Sequence, residues 1–211
     1  MHQITLISTV HKETGKCTAA ELCRILEKIK PEVIFLEALP DTYTSYEKTN
    51  FESFGVFHEK LEIKAIQKYQ LKAPVHYEAV LDQALPESFT KKYTLLCKSE
   101  KLKGLIARQE YLTRHYGFPF LNSEEGVRLH DKMRKVEKEM LNGHELGAIV
   151  DQDIARYEDA MLRNIYSYCS ENTFHTAVFM CGSAHRKSLI EKIGESQDWD
   201  KIGVSWTFFG S

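Results

Sequence analysis

The first 37 residues constrain the fold most strongly, because they carry the pattern of a strand, a helix and a second strand in quick succession. Residues 3–10 and residues 33–36 are apolar runs typical of buried strands. Between them, Thr18 and Glu21 have the spacing of a capping box, in which each side chain accepts a backbone N–H at the start of a helix, and Pro31 ends that helix. The apolar face of the helix consists of Leu22, Ile25, Leu26 and Ile29. Such a βαβ unit nearly always crosses over right-handed, so the two strands are predicted to be parallel.

The rest of the chain continues this pattern around a long helical segment. Residues 61–71 predict a helix, and residues 73–78 and 176–181 predict two more strands. Residues 87–170 show no strand pattern, and Asp151 is a candidate N-cap for one of the helices there. At the end of the chain, Ile202, Val204, Trp206 and Phe208 alternate with smaller or more polar residues, as in an edge strand with one covered face. We expect a single α/β domain over residues 1–211, with a small, mainly parallel sheet flanked by helices and a helical insertion at about 87–170.

Composition excludes several classes of protein. The chain has 211 residues, and its 28 Lys and Arg nearly balance 30 Asp and Glu, which argues against a nucleic-acid-binding domain. No run is long and apolar enough to cross a membrane, and no signal peptide is visible. The five cysteines include no C-x-x-C pair, which favours reduced thiols and a cytoplasmic protein. A small molecule or a peptide is therefore the expected partner, and the oligomeric state stays open.

Two segments near opposite ends of the chain repeat one local design. In each segment an apolar, strand-like run ends near a small residue, and a histidine follows three positions after that residue. Ser8 precedes His11 in this way, and Gly182 precedes His185. Glu37 ends the second strand of the βαβ unit in a similar way. Because ligands of parallel α/β sheets bind outside the carboxyl ends of the strands, these two histidines and Glu37 are predicted to share one edge of the sheet.

This trio suits two kinds of chemistry. Two imidazoles and a carboxylate are a plausible ligand set for Zn, Mn, Fe or Co, with positions left open for water or substrate. Without a metal, the same groups could supply a general base and a group that stabilises the transition state. A histidine at a strand end, taken alone, is more often a hydrogen-bonded structural residue. The trio gains weight because three separate strand ends each stop at a residue of this type.

The same residues carry a resemblance to a known family. The segment His11-Lys12-Glu13-Thr14, the capped helix, and residues 30–37 resemble the start of the TraB/PrgY/GumN family, which is related to the Tiki proteases, the erythromycin esterases and the ChaN-type haem-binding proteins. The family has two G-x-x-H motifs and a glutamate after the second strand. Here Gly182-Ser183-Ala184-His185 is intact, and Ser8 stands where the first motif has glycine. The segment from Arg156 to Met161 is similar to the family's Arg-Asp-x-x-Met signature, with the arginine one position early.

The resemblance implies several activities. The Tiki branch implies metal-dependent peptide hydrolysis, the esterase branch implies His/Glu-assisted hydrolysis of a cyclic ester, and other members imply binding or regulation. We expect a hydrolase of peptide or ester bonds in which His11, Glu37 and His185 hold a divalent metal (Mn, Zn, Co or Fe) or activate water directly. Arg156 would stabilise the oxyanion.

A binding or regulatory module is the alternative, with a peptide, haem or another small ligand held in the same crevice. In either case Ser8, Gly182 and Glu78 are expected to line that crevice. A toxin-type or antiphage effector on the same scaffold is a third possibility.

Other chemically able residues receive weaker predictions. Cys181 is expected to be a small core residue, and Ser183 lacks the glycines two positions away on each side that mark a nucleophile elbow. His76 stays undecided. The histidines expected to be incidental are His2, His58, His115, His130, His144 and His175. The basic cluster expected to be a solvated helix face consists of Lys132, Arg134, Lys135 and Lys138.

Overall fold

The protein has an α/β fold built on one five-stranded sheet. Our computed structural model describes residues 1–195 and 202–210. The strand order is β3-β2-β4-β1-β5, and every neighbouring pair is parallel. The strands are β1 (His2–Thr9), β2 (Val33–Leu36), β3 (His76–Ala79), β4 (Thr176–Gly182) and β5 (Val204–Phe208). The predicted α/β class is confirmed, and the sheet is parallel throughout.

Helices connect the strands and cover both faces of the sheet. They are α1 (Ala19–Ile29), α2 (Ser45–Phe54), α3 (Leu61–Gln70), α4 (Glu87–Leu96), α5 (Glu100–Tyr116), α6 (Phe118–Leu121), α7 (Glu124–Leu141), α8 (Glu145–Glu171) and α9 (Arg186–Glu195). Two short 3-10 turns lie at Pro40–Thr42 and Ser183–His185. Helices α4 to α8 fill the segment predicted to be a helical insertion, and no strand interrupts them there.

The first helix begins at the predicted cap, with one difference, and it ends at Ile29, where Lys30 takes a left-handed conformation with φ of 56°. Thr18 caps α1 by accepting the backbone N–H of Glu21 at 3.1 Å. The carboxylate of Glu21 does not complete the capping box, because it bonds Arg24 instead. The free N–H of Ala19 is taken by Glu13 at 2.8 Å. The helix therefore has two separate side-chain caps.

Two helix and strand boundaries differ from prediction. Asp151 is not an N-cap, because α8 begins at Glu145 with His144 at the N-cap position, just after Gly143 turns the chain in a left-handed conformation with φ of 79°. Asp151 lies inside the helix, exposed, and its carboxylate is 3.5 Å from the ammonium of Lys138. Strand β3 starts three residues later than the predicted run at 73–78.

The two faces of the sheet are covered by different helices, and this arrangement opens a crevice at the carboxyl ends of the strands. Helices α1, α3 and α6 pack on one apolar layer, whereas α8 and α9 pack on the other. The chain therefore leaves β1 and β2 towards the first layer and leaves β4, which lies between them, towards the second. Connections that diverge at the carboxyl ends of neighbouring strands open a crevice there, which is where ligands bind in such sheets.

A buried amide completes the sheet at this edge. Strand β5 ends opposite Leu6, and beyond it Asn122 bonds both backbone groups of Ser8, accepting its N–H at 2.7 Å and donating to its C=O at 3.0 Å. The same Asn122 oxygen accepts a hydrogen bond from Arg186 at 2.9 Å. One side chain thus joins β1, the helical insertion and the start of α9.

We predict that Asn122→Ala strongly destabilises the fold. The substitution leaves the N–H and C=O of Ser8 and a donor of Arg186 without a partner, and each buried unsatisfied group costs about 1–3 kcal/mol. A loss of about 2–4 kcal/mol in the free energy of unfolding is expected, measured by urea denaturation.

The matched control is Asn172→Ala. That exposed amide bonds only a carbonyl of its own helix among the described contacts, and it should change the free energy of unfolding by about 0.5 kcal/mol or less. Similar losses for the two variants would show that Asn122 does not join these elements.

Candidate active site

Three neighbouring strands bring the predicted trio to one edge of the sheet. Glu37 follows β2, His185 closes the turn after β4, and His11 lies two residues beyond β1. Since β4 lies between β2 and β1, His185 is central among the three. Its Nε2 is 3.6 Å from Oε1 of Glu37, longer than a direct hydrogen bond.

The other imidazole nitrogen of His185 contacts a buried carboxylate from α8. Nδ1 lies 2.8 Å from Oε1 of Glu158, whose side chain is 1% exposed. Ser188 donates to the same oxygen at 2.6 Å, and the ammonium of Lys192 is 3.5 Å from the other. Burial raises the pKa of Glu158, but the hydrogen bonds from His185 and Ser188 outweigh it, so the net pKa is lowered.

Glu158 is therefore an ionised acceptor. Because a carboxylate can only accept, Nδ1 of His185 carries the hydrogen of this bond, and Nε2 is the ring nitrogen that can exchange a proton.

Glu37 is held by two donors at the foot of the crevice. The backbone N–H of Gly182 donates to its Oε2 at 2.6 Å, and the hydroxyl of Tyr157 donates to its Oε1 at 3.1 Å. A Cβ on Gly182 would lie 3.4 Å from that carboxylate, a close but ordinary van der Waals contact. Burial, and then the nearby charge of Glu37, raises the pKa of Tyr157, which keeps its hydroxyl protonated. The Tyr157 ring also stacks on His185, with centroids 5.6 Å apart.

His11 has a carboxylate partner of its own. Its Nδ1 is 3.0 Å from Oε1 of Glu62, and this hydrogen bond raises the pKa of His11, with the charge of Glu37 adding to the effect. The His11 side chain is 61% exposed, whereas that of Glu62 is 3% exposed. The Thr9 hydroxyl lies 3.0 Å from the same Glu62 oxygen and 3.3 Å from the carbonyl of Cys181. The ends of β1 and β4 therefore share one polar network.

His130, predicted to be incidental, contacts the turn that carries His185. Its Nε2 lies 2.9 Å from the hydroxyl of Ser183 and 2.9 Å from Nε2 of Gln109. Burial, together with the nearby charges of Arg134 and His185, lowers the pKa of His130 to about 4. Arg134 was also misassigned to a solvated face, since it donates to the carbonyl of Ala184 at 2.6 Å. Helix α7 thus covers one side of the site.

Some of the predicted site residues lie elsewhere. Arg156 is exposed and bonds Asp153 at 2.5 Å, because one step along a helix turns a side chain by about 100°, and it is Tyr157 and Glu158 that face the crevice. Ser8 is buried and holds Asn122 through its backbone. Glu78 is paired with His76 at 3.2 Å on the edge strand β3, and His76 stacks on Tyr168.

One feature of the sequence indicates the buried carboxylate of Glu158, which is not among the residues predicted for the site. Ile154, Met161 and Ile165 form an apolar helical stripe, and Glu158 occupies the position of that stripe between the first two. A charged residue at a buried helical position needs a partner, since burying an unpaired charge is costly. Glu62 lies at the buried start of α3 and gives a similar but weaker signal.

Two cavities border α8 next to this network. One of about 660 Å³ is lined in part by Glu158, Ser188 and Arg134. The other, of about 560 Å³, is lined in part by Tyr157 and Arg156. Both lie within the range of about 300–1,000 Å³ typical of small-molecule sites.

The donor set does not form the predicted metal shell. Within residues 1–195 and 202–210, no three His, Cys, Asp or Glu side chains are arranged so that they could hold one ion. Both oxygens of Glu37 already accept hydrogen bonds, and Nε2 of His185 lies 3.6 Å from one of them. The described residues therefore do not fit a divalent metal ion.

Comparisons with known proteins give no match that bears on the site. No protein-family model matches the chain, and no curated protein or solved structure matches it either. In the described part of the chain, no helix has the length and apolar character needed to cross a membrane.

The buried imidazole gives a prediction about pH. His130 should stay neutral down to about pH 4, whereas the pKa of His11 should lie above 6.5, as measured by NMR titration of the ring protons. An unfolded His130 takes up a proton near its ordinary pKa of 6.5, so the unfolded state binds more protons between pH 6.5 and pH 4. The contribution of His130 to the free energy of unfolding therefore falls as the pH is lowered through that window.

A His130→Gln variant should lose this part of the pH dependence. Glu62→Gln is the control, because it should lower the pKa of His11 and leave the titration of His130 unchanged. Titration of His130 at or above pH 6.5 in the folded protein would show that the ring is not desolvated as described.

Proposed function

We propose that this protein hydrolyses peptide or ester bonds, with His185 as the general base that activates water. One observation carries the proposal: the imidazole of His185 is held between Glu158 on Nδ1 and Glu37 opposite Nε2, at the carboxyl end of the central strand. A histidine oriented by a buried carboxylate through Nδ1, with Nε2 3.6 Å from Glu37 and outside direct hydrogen-bond distance of it, has the arrangement that general-base catalysis requires.

The first chemical step follows from the charges around the ring. Nε2 of His185 takes a proton from water while the water oxygen attacks the carbonyl carbon of the substrate. Glu158 and Glu37 both stabilise the imidazolium that forms, because one carboxylate faces each nitrogen. The imidazolium then gives the proton to the leaving amine or alcohol, which completes the hydrolysis.

The oxyanion needs a positive or hydrogen-bonding partner. We assign this role to His11, because Glu62 favours its cationic form and its exposed ring lies at the same edge of the sheet. The expected role of Arg156 is not retained in this proposal, since its guanidinium bonds Asp153 and makes no described contact with the network around His185 and Glu37. A cation placed at the developing charge lowers the barrier.

We predict that Glu158→Gln lowers kcat by about 10²–10⁴-fold with a much smaller change in KM, since the neutral amide neither fixes the tautomer of His185 nor stabilises its cation. The assay is a panel of chromogenic esters and fluorogenic peptides. Circular dichroism of both proteins checks that the near-isosteric variant is folded.

The matched control is Glu171→Gln on the same helix, where the carboxylate is exposed and accepts a hydrogen bond from Ser167. Its kcat should equal that of the unmodified protein. An equal kcat for folded Glu158→Gln would overturn the assignment of His185 as an oriented base.

Metal content separates the two versions of the hydrolase. In the metal-independent version proposed here, protein purified without chelators carries no stoichiometric divalent metal and keeps its activity after dialysis against EDTA. Metal bound at one equivalent and lost in both His185→Ala and Glu37→Gln would contradict this version and support the metal shell that the family resemblance implies. Haem or another ligand bound without hydrolysis would favour the alternative, a binding module, and haem would be seen as a Soret band lost in His11→Ala or His185→Ala.

A further inference from the structure

Ser183 occupies a position at which strand, turn and helix meet. It is the first residue after β4, it begins the 3-10 turn Ser183–His185, and α9 follows at once. The side chain is half-buried at the carboxyl edge of the sheet. Nucleophilic serines of α/β hydrolases also stand on a sharp turn between a strand and a helix. Ser183 has this placement without the flanking glycines of that motif.

The hydroxyl of Ser183 has a base within hydrogen-bond distance. Nε2 of His130 is 2.9 Å away, and the side-chain amide nitrogen of Gln109 contacts the same imidazole nitrogen at 2.9 Å. With the hydrogen of the neutral ring on Nδ1, Nε2 of His130 has one lone pair, which the Ser183 hydroxyl and the Gln109 amide share. In this tautomer the Ser183 hydroxyl donates to Nε2, the arrangement from which a general base takes a proton.

A second side chain of α7 also holds the turn Ser183–His185. Arg134, one helical turn after His130 on α7, donates to the carbonyl of Ala184 at 2.6 Å. Two side chains of α7 therefore hold consecutive residues of the turn. A nucleophile held in this way needs little reorganisation before it attacks.

We propose that Ser183 is a catalytic nucleophile, activated by His130, which carries the acyl group of the substrate as a covalent ester. The second half of the cycle rests on the proposed function, because His185 activates the water that releases the acyl group. The substrate class is then a carboxylic ester or amide whose acyl part transfers first to Ser183.

The atoms balance in both half-reactions. Oγ of Ser183 forms a bond to the carbonyl carbon while its proton passes to Nε2 of His130. The bond to the leaving alcohol or amine breaks, and that group takes the proton from His130. Water then attacks the ester carbon as its proton passes to Nε2 of His185. The bond to Ser183 breaks, and Oγ regains a proton from His185.

A fluorophosphonate probe tests the nucleophile without knowledge of the natural substrate. Oγ of Ser183 should bond to phosphorus with loss of fluoride, and intact-mass analysis with peptide mapping should show one adduct on Ser183. Ser183→Ala should show no adduct, and His130→Gln should be labelled about 10²-fold more slowly, in the range of a lost general base.

Ser170→Ala is the matched control, because that serine is exposed on α8 and bonds only the carbonyl of Ser167 among the described contacts. It should be labelled at the rate of the unmodified protein. Circular dichroism of each variant confirms that it is folded. An unmodified, folded protein that gives no adduct on Ser183 would overturn the inference.

The outcomes for Ser183 and for the proposed function can be told apart. Hydrolysis that depends on Glu158 but is unchanged in Ser183→Ala, with no adduct, refutes the nucleophile and leaves direct water attack in place. An adduct on Ser183 in a protein that hydrolyses no ester or peptide supports the nucleophile and counts against the proposed hydrolase. A burst of product equal to one enzyme equivalent, lost in Ser183→Ala, supports both.

Discussion

The pairing of β4 with β1 on one side and β2 on the other is the constraint on which the site depends. This pairing places the last residues of three strands side by side, and the Thr9 hydroxyl and the carbonyl of Cys181 meet although they are 172 positions apart. Because the chain leaves β4 towards the opposite face from β1 and β2, the ends of these strands stay uncovered by their own connections. Polar side chains from α3, α7 and α8 can therefore contact the residues at this edge.

Buried carboxylates give this edge its chemical character. Glu62 and Glu158 are both almost completely buried, and each lies within hydrogen-bond distance of a histidine at a strand end. Removing a charge from water is costly unless the charge is paired, so each buried carboxylate needs its histidine as a partner. The same hydrogen bond holds the histidine ring in one orientation. Oε2 of Glu62 is buried without a hydrogen-bond partner, and it is therefore the least satisfied acceptor of this pair.

Local patterns predicted the strands and the first helix well, because they depend on residues close in sequence. The Thr18 cap of α1 and the runs ending at Glu37 and Gly182 are of this kind. The partners of the histidines depend on contacts that no local pattern encodes. Glu158 and Tyr157 reach Glu37 and His185 only because α8 crosses the sheet in one particular rotation, and a shift of one residue would have presented Arg156 instead. The contact between His130 and Ser183 is not encoded in a local pattern for the same reason, since the two residues lie on different elements.

The central position of β4 also bears on how the chain is made. When a ribosome has synthesised the first 170 residues, β1 and β2 exist without the strand that lies between them. Their facing edges then carry unpaired backbone groups, which favour association with other chains. Pairings between distant parts of a sequence form slowly, and this sheet can close only after β4 has emerged. Strand β4 lies at the centre of the candidate site, and its pairing with β1 and β2 also covers the edges that these strands expose during synthesis.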